Sequence, residues 1–463
     1  MLDRHCVQQA ETRGNSWKSE RLGNLTTKIG SGATPLGGSR AYKHKGIALI
    51  RSQNVFDSGF VYDGLAFIDE NQAGRLDHVE VSKDDVLLNI TGAAVARCCV
   101  VPQDVLPARV NQHVMIIRAK RDCLNPRYLW YTLVSPKCKK LLLAFAQGGA
   151  TREALTKEIV EGFRIHVPPI VVQQQIAAVI GAYDDLIENN HRRIQILEEM
   201  ARAIYREWFV HLRFPGHEEV EMVDSEMGQT LEGWNETTVE NAFEVTGGGT
   251  PSTKNPEFWE EGAINWYTPS DLTSSKSMFM DESGKKITEL GLRKSSARMF
   301  PARSVMMTSR ATIGFVSINT NPACTNQGFI TCIPNERVSE YYIYFWLLDN
   351  VERFLSLGTG TTYKEIIKSV FRTIRFLLPP VGLVHEYTEL VNPMCELILN
   401  LLRMNRNLTI TRDLLLPKLV SGQLDVSELD IGTVDSNQET SKYEGQSTLD
   451  AWTDGDDQDA DMG

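Results

Sequence analysis

Apolar residues recur along two segments of the chain at alternating spacings of four and three. In the first, Ile176, Ile180, Tyr183, Ile187, Asn190, Ile194, Leu197, Ala201, Ile204 and Trp208 keep that spacing without a miss. This is the pattern of a coiled-coil seam. The second segment carries Tyr387, Leu390, Met394, Leu397, Leu401, Met404, Leu408, Thr411 and Leu415 at the same spacings, with Pro393 expected to kink the helix or mark its real start. A double proline precedes each segment, Pro168-Pro169 and Pro379-Pro380, blocking helix behind it. Two seams imply two partnered helices. The alternative, each stripe packing only on its own globular domain, is disfavoured by heptads unbroken from Ile176 to Trp208. Asn190 either sets register against a partner or is an incidental polar residue near a solvated edge. The regions before the helices, roughly 17–167 and 234–378, mix β-rich runs such as Val110 to Ile117, helical stretches such as Pro126 to Phe145, and glycine-rich turns. They read as globular α/β domains.

The chain also repeats itself once, a signal that decides the architecture before any single element does. Trp17 followed by Gly30-Ser31-Gly32-Ala33-Thr34-Pro35 returns as Trp234 followed by Gly247-Gly248-Gly249-Thr250-Pro251. In the same order, Ile50 to Val55 meets Tyr267 to Leu272, and Val86 to Asn89 meets Val305 to Thr308. Asn111-Gln112 meets Asn326-Gln327, Tyr128 to Tyr131 meets Tyr342 to Phe345, and Gly148 to Thr151 meets Gly358 to Thr362. The expected organisation is an N-terminal extension (1–16), a first globular domain (17–167), a first long helix (168–216), a linker and second globular domain (217–378), a second long helix (379–425) and an acidic tail (426–463).

Composition narrows the function. With 42% hydrophobic and 23% charged residues over 463 positions, the chain has material for several ordinary domains. No apolar stretch is long enough to span a membrane and the N-terminus has no signal-peptide core, so a cytoplasmic protein is expected. The eight cysteines form no CxxC pair and no Cys/His cluster at zinc-ligand spacing, so no metal site is expected and the thiols read as reduced and mostly buried. A formal charge of -11 argues at first against a polyanionic partner. From Ser421 onward, however, twelve acidic residues face only Lys442, so the body is net neutral and free to carry basic faces. The Asp-, Gly- and Ser-rich end is expected to be a disordered, solvating tail.

The arrangement of variable domain, long helix, variable domain, long helix resembles the specificity subunit of a type I restriction-modification system. The resemblance extends over nearly the whole chain. It is carried most specifically by Leu186 to Gly216, by Arg412 to Val426, and by Thr308 to Gly314 with Thr325 to Phe329. It implies an α/β (α+β) fold with two target recognition domains separated by two long helices in an antiparallel coiled coil, related by an internal pseudo-twofold repeat. The implied partners are double-stranded DNA, two modification (methyltransferase) subunits and, in the full complex, restriction subunits. Pro393 and the long acidic tail depart from the pattern. The chain shows no phosphate-cradling GxxxxGK[ST], no HExxH, no nucleophile elbow and no NPPY-type tetrapeptide. A non-catalytic chain is therefore expected, with S-adenosylmethionine, ATP and magnesium on partner subunits. The alternatives are the specificity protein of a related fused or restriction-less defence system, a duplicated enzyme of unfamiliar motif, and a coiled-coil adaptor that does not touch DNA.

Reading DNA requires donors and acceptors on loops held by rigid elements, with Lys and Arg for the phosphates. In the first repeat the candidates are Arg51, Gln53 and Asn54, then Arg97, then Asn111 and Gln112 beside His113, then Thr151, Arg152 and Lys157. In the second they are Ser270 and Asp271, Ser309 and Arg310, Asn326 and Gln327, then Thr361, Thr362 and Lys364. Turn chemistry is the competing explanation for each cluster, because Asn, Asp, Ser and Gly are what loops need. Residues shared by both repeats cannot alone distinguish two half-sites. Base readout is therefore expected in the unmatched loops, among them Arg51 to Asn54, Arg97, Lys276 and Arg293 to Arg298.

Overall fold

The computed structural model describes residues 17–147, 154–225, 228–360 and 364–429. Its contacts divide the chain into two units: residues up to Asp185 together with those from Thr409 onward, and Leu186–Leu408.

In the first unit, short apolar runs such as Ile47–Ile50 and Val86–Asn89 are buried on both faces, as strands covered on both sides must be. They form two four-stranded sheets. One has the order Ala66–Ile68, Ile47–Ile50, Ala108–Val110, Glu80–Val81; the other has the order Thr26–Ser31, Val114–Ala119, Val86–Asn89, Cys98–Val100. The expected run from Val110 to Ile117 is thus two strands in two sheets. Asn111 Oδ1 accepts the His113 N–H at 3.1 Å and turns the chain between them. The stretch from Pro126 to Phe145 is likewise two helices, Pro126–Val134 and Pro136–Gln147, separated by an extended Ser135 ahead of Pro136.

The second unit repeats the core of this frame, with differences at the sheet edges. Glu244–Thr246, Phe329–Ile333, Val305–Thr308 and Val316–Asn319 take the order of the second sheet, with Phe279–Met280 added at the edge. Lys286–Ile287, Ile264–Tyr267 and Ala323–Thr325 take the order of the first, one strand fewer. The parallel pair recurs, Ile50 beside Val110 in one unit and Tyr267 beside Thr325 in the other. So does the antiparallel closure, Lys18–Arg21 with Arg164–Val167 and Asn235–Thr238 with Arg375–Leu378.

Two long helices, Ile170–Tyr205 and Val381–Val420, each contribute residues to both units and pair antiparallel within each. In the first unit Arg412 donates to Asp184 at 2.7 Å, while Gln175 donates to the carbonyl of Leu429 at 3.1 Å. In the second unit Asn190 donates to Asn405 at 2.8 Å, and the rings of Tyr205 and Tyr387 lie 6.2 Å apart. Along the first helix Ile176, Ile180, Asn190, Ile194 and Ala201 are buried, and Tyr183, Ile187, Leu197 and Ile204 are partly so. Tyr205, outside the expected stripe, is buried more deeply than its neighbour Ile204.

The second helix corrects the sequence reading. Leu401 is buried and Leu408 and Leu415 partly buried, but Leu397 is 37% exposed, and Leu390 and Met404 are exposed as well. The covered stripe runs instead through Tyr387, Val391, Cys395, Ile398, Leu401 and Asn405. Apolar residues occupy two adjacent faces of this helix, and spacing alone does not say which face a neighbour covers. Pro393 neither breaks nor starts the helix. It lies at an exposed position between buried Val391 and Cys395, whose packing outweighs the one backbone bond that proline forfeits. The tail also starts later than expected, because Val426 is buried and the carbonyls of Ser427 and Leu429 accept from Gln175. Residues 430–463, most of the expected tail, lie outside the described residues.

Candidate nucleic-acid interface

The glycine turn that opens each repeat is pinned in the same way in both units. A Cβ on Gly32 would stand 2.1 Å from the Val110 carbonyl oxygen, and one on Gly248 would stand 1.9 Å from that of Thr325, so only glycine permits the approach. Two residues on, Thr34 donates to Gln112 Oε1, and Thr250 donates to Gln327 Oε1 at 2.6 Å. Asn326 Oδ1 accepts the Gly328 N–H at 2.9 Å, as Asn111 does that of His113. The repeated Asn-Gln pair therefore folds its own turn and clasps the Gly-Thr-Pro segment. Thr34 and Thr250, the other half of the clasp, were not among the candidates; their signal was the repeated Thr-Pro beside the repeated glycines.

In the second unit an open cleft of about 430 Å³ brings Ser270, Arg310, Asn326 and Gln327 together, joined by Thr273 and Thr312. Ser270 and Gln327 are exposed there. Arg310 stands on a loop held from both sides: Ser309 N–H donates to Gly328 O at 2.8 Å, and Ala311 N–H to Lys364 O at 2.9 Å. Its guanidinium lies 3.7 Å from Glu365, and both groups are substantially exposed. Lys364 is exposed beside it. The first unit builds the corresponding loop from Asn89 to Arg97, where Ile90 N–H donates to His113 O at 2.9 Å and Leu155 N–H to Ile90 O at 2.9 Å. Thr91 stands in the place of Arg310, its hydroxyl 2.6 Å from His113 Nδ1, and Gln112 lies 3.0 Å from the other ring nitrogen. The two frames match while the groups they present differ.

Several candidates have partners within the fold. Asn54 is fully buried and caps its own turn, accepting from Arg51 N–H at 3.1 Å and donating to Val61 O at 2.9 Å. Asp271 does the same in the second repeat, with one carboxylate oxygen on Thr268 N–H at 2.6 Å and the other on Gly284 N–H at 2.9 Å. Ser309 is 3% exposed and out of reach of a ligand. Arg51 donates to Gly64 O at 2.5 Å and lies over the Tyr42 ring; Gln53, though exposed, also donates to Gly64 O. Arg97 lies over the Phe56 ring, 4.5 Å from its centre. Lys157 pairs with Glu161 at 3.5 Å on an exposed helix. Thr151, Arg152, Thr361 and Thr362 lie outside the described residues. Sequence reasoning passed over Arg40, Lys43 and Lys45, exposed cations after the Gly37-Gly38 turn that make no ion pair among the described residues.

Among the described residues no group of three or more His, Cys, Asp or Glu could hold a metal ion. The cysteines there are free, and burial pushes the Cys99 and Cys324 thiols up to about 12, which keeps them protonated and unreactive.

Comparison with known proteins bears on what this duplicated frame belongs to. The family model for the type I restriction modification DNA specificity domain matches residues 15–199 and again 231–382. The chain is 35% identical over 163 residues to the MjaIX specificity subunit of Methanocaldococcus jannaschii, a match covering 35% of this chain and 38% of that protein. It is 22% identical over 474 residues to the HindI specificity subunit of Haemophilus influenzae, covering 89% and 100% respectively. Among solved structures, the S subunit of a type I restriction-modification system from M. genitalium shares the fold, with a TM-score of 0.55 at 13% identity over 89% of this chain and 98% of that one. Two matches to one family, together spanning well over half of the chain and each taking in one copy of the repeated frame, show that this protein belongs to the type I restriction modification DNA specificity family.

Proposed function

We infer that the chain is the DNA-recognition subunit of a type I restriction-modification complex. Each unit reads one half of a bipartite duplex target, and the paired helices set the spacer and dock two modification subunits. Methyl transfer, and cleavage where a restriction subunit joins, take place on those partners, which carry the S-adenosylmethionine, ATP and magnesium. This chain acts beside DNA in the cytoplasm; among its described residues no helix is long and apolar enough to cross a membrane.

The observation that carries this reading is the pairing of a constant frame with variable display. The glycine turn, the Thr–Gln clasp and the order of the central strands are the same in both units, whereas Arg310 in one replaces Thr91 in the other. Two readers of different sequences need that combination. Docking is supported by the helix faces left uncovered within the second unit. Leu390, Leu397 and Met404, seven residues apart, are exposed along one helix, as are Ile196 and Met200 along the other. Methylation sequencing of genomic DNA from cells with and without the gene tests the reading. A bipartite methylated motif should vanish with the gene; an unchanged methylome in cells that express the modification subunits would overturn it.

A further inference from the structure

The short helices Lys157–Gly162 and Lys368–Arg372 occupy the same place in the two units. Leu155 N–H donates to Ile90 O in the first and Ile366 N–H donates to Ser309 O in the second, which fixes the register. Lys157 therefore corresponds to Lys368, and Glu161 to Arg372. In the first unit the positions four apart hold an ion pair at 3.5 Å. In the second they hold two cations, an arrangement that costs a helix stability where the pair would have added it. A third cation, Arg298, belongs to the same group. The Lys368 ammonium is lowered from its ordinary pKa by desolvation first, then by the charges of Arg372 and Arg298.

The cluster sits beside the glycine turn of the candidate interface. Gly247 passes so close to Lys368 that a Cβ there would lie 2.5 Å from its Nζ, and one on Gly249 would lie 2.2 Å from Ser296 Oγ, two residues before Arg298. Arg372 and Arg298 line a cleft of about 450 Å³. Arg372 is fixed there by donating to Val245 O at 2.6 Å. Glu240 and Glu244 line the same cleft, yet among the described residues Arg298, Lys368 and Arg372 form no ion pair with either. The other end of this turn is Thr250, clasped by Gln327 at the edge of the cleft that holds Arg310.

We propose that Arg298, Lys368 and Arg372 form a phosphate-holding site of the second unit that grips the DNA backbone next to the cleft of Arg310. The site rests on the DNA-recognition reading above. A backbone phosphate supplies the negative charge that Glu161 supplies in the first unit, and it does so only when DNA is bound. The same cluster carries no sequence information, so it orients the duplex and leaves base reading to the neighbouring cleft.

The test is duplex binding by the complex with its modification subunits, measured against salt for target and random sequences. Lys368→Ala and Arg298→Ala should each lower the slope of log affinity against log salt by about 0.9, and together by nearly two, weakening target and random duplex by the same factor. Lys368→Glu places opposite charges four positions apart, as in the first unit, and leaves the Arg372 hydrogen bond to Val245 O in place. It should leave thermal melting of the free protein unchanged or higher while weakening duplex binding, which separates a lost phosphate contact from a damaged fold. Unchanged slopes with intact target binding would overturn the site, as would a loss of selectivity at one base pair. Stabilisation of the unsubstituted protein by inorganic phosphate, lost in Lys368→Ala without any change in duplex slope, would make it a free-anion site and also overturn the proposal. Failure of the unsubstituted complex to select any duplex sequence would instead sink the DNA-recognition reading itself.

Discussion

Arg310 and Thr91 occupy equivalent points of two loops anchored in the same way, so the side chain there is free to carry a difference between half-sites. Arg310→Ala is expected to relax specificity at one position of one half-site, at a cost of about 1 to 3 kcal/mol. Binding to a panel of singly altered targets checks this; uniform weakening with a salt slope lower by about one would make Arg310 a phosphate contact. Glu198 offers a second test. Burial pushes its carboxyl up to about 7, although the Met278 N–H pulls the other way. The folded state therefore holds a proton that the unfolded chain releases near pH 4.5. Its contribution to stability is full below that pH, declines as pH rises towards 7 and is absent above. Glu198→Gln should be more stable than the parent above pH 7, by an amount on the order of 2 kcal/mol, and match it near pH 4. Melting temperatures across that range decide it, and parallel curves would refute it.

Among the elements, the two long helices carry a polar pair in an apolar seam. Asn190 and Asn405 are both buried; Asn190 donates to Asn405, and Asn405 donates to the Ile187 carbonyl at 3.3 Å. The acceptor oxygen of Asn190 is buried and finds no partner among the described residues. Replacing one residue strands the other, so Asn190→Leu should cost about 1 to 3 kcal/mol. The double substitution Asn190→Leu, Asn405→Leu should recover most or all of that loss, since two leucines bury no unpaired amide. A double-mutant cycle from urea melts reads the coupling; additive losses would mean that the two side chains do not act as a pair. Asn190 was legible as a seam residue because Ile187 and Ile194, which flank it at the same spacings, lie on one unbroken apolar stripe. Asn405 was not, because the second helix offers two, and the spacing favoured the stripe of Leu397 and Met404 that the fold leaves uncovered.

For the whole molecule, the repeated frame gives each unit the means to read DNA on its own if the proposed function holds. Each has its own sheets and its own buried core. Exchanging residues 17–167 for the corresponding segment of a relative should change one half of the methylated motif and leave the other as it was. Methylome mapping of the chimera checks this, and a simultaneous change in both halves would refute independent reading.

The sequence alone determined that the chain is duplicated, that each copy is a mixed α/β domain followed by a long helix, and which glycine and Asn-Gln landmarks correspond. Those features are local: a glycine forced by close approach, an Asn that turns its own backbone and a helix set by spacing leave their marks within a few residues. The tertiary structure decided which side chains are free to act. Asn54, Asp271 and Ser309 look like readers in a list of polar loop residues, yet backbone groups of the folded loops or a buried position claim them. It likewise brought Arg298 and Lys368, seventy positions apart, to the same glycine turn. Burial and charge proximity are sums over neighbours that the fold supplies, and no local pattern contains them.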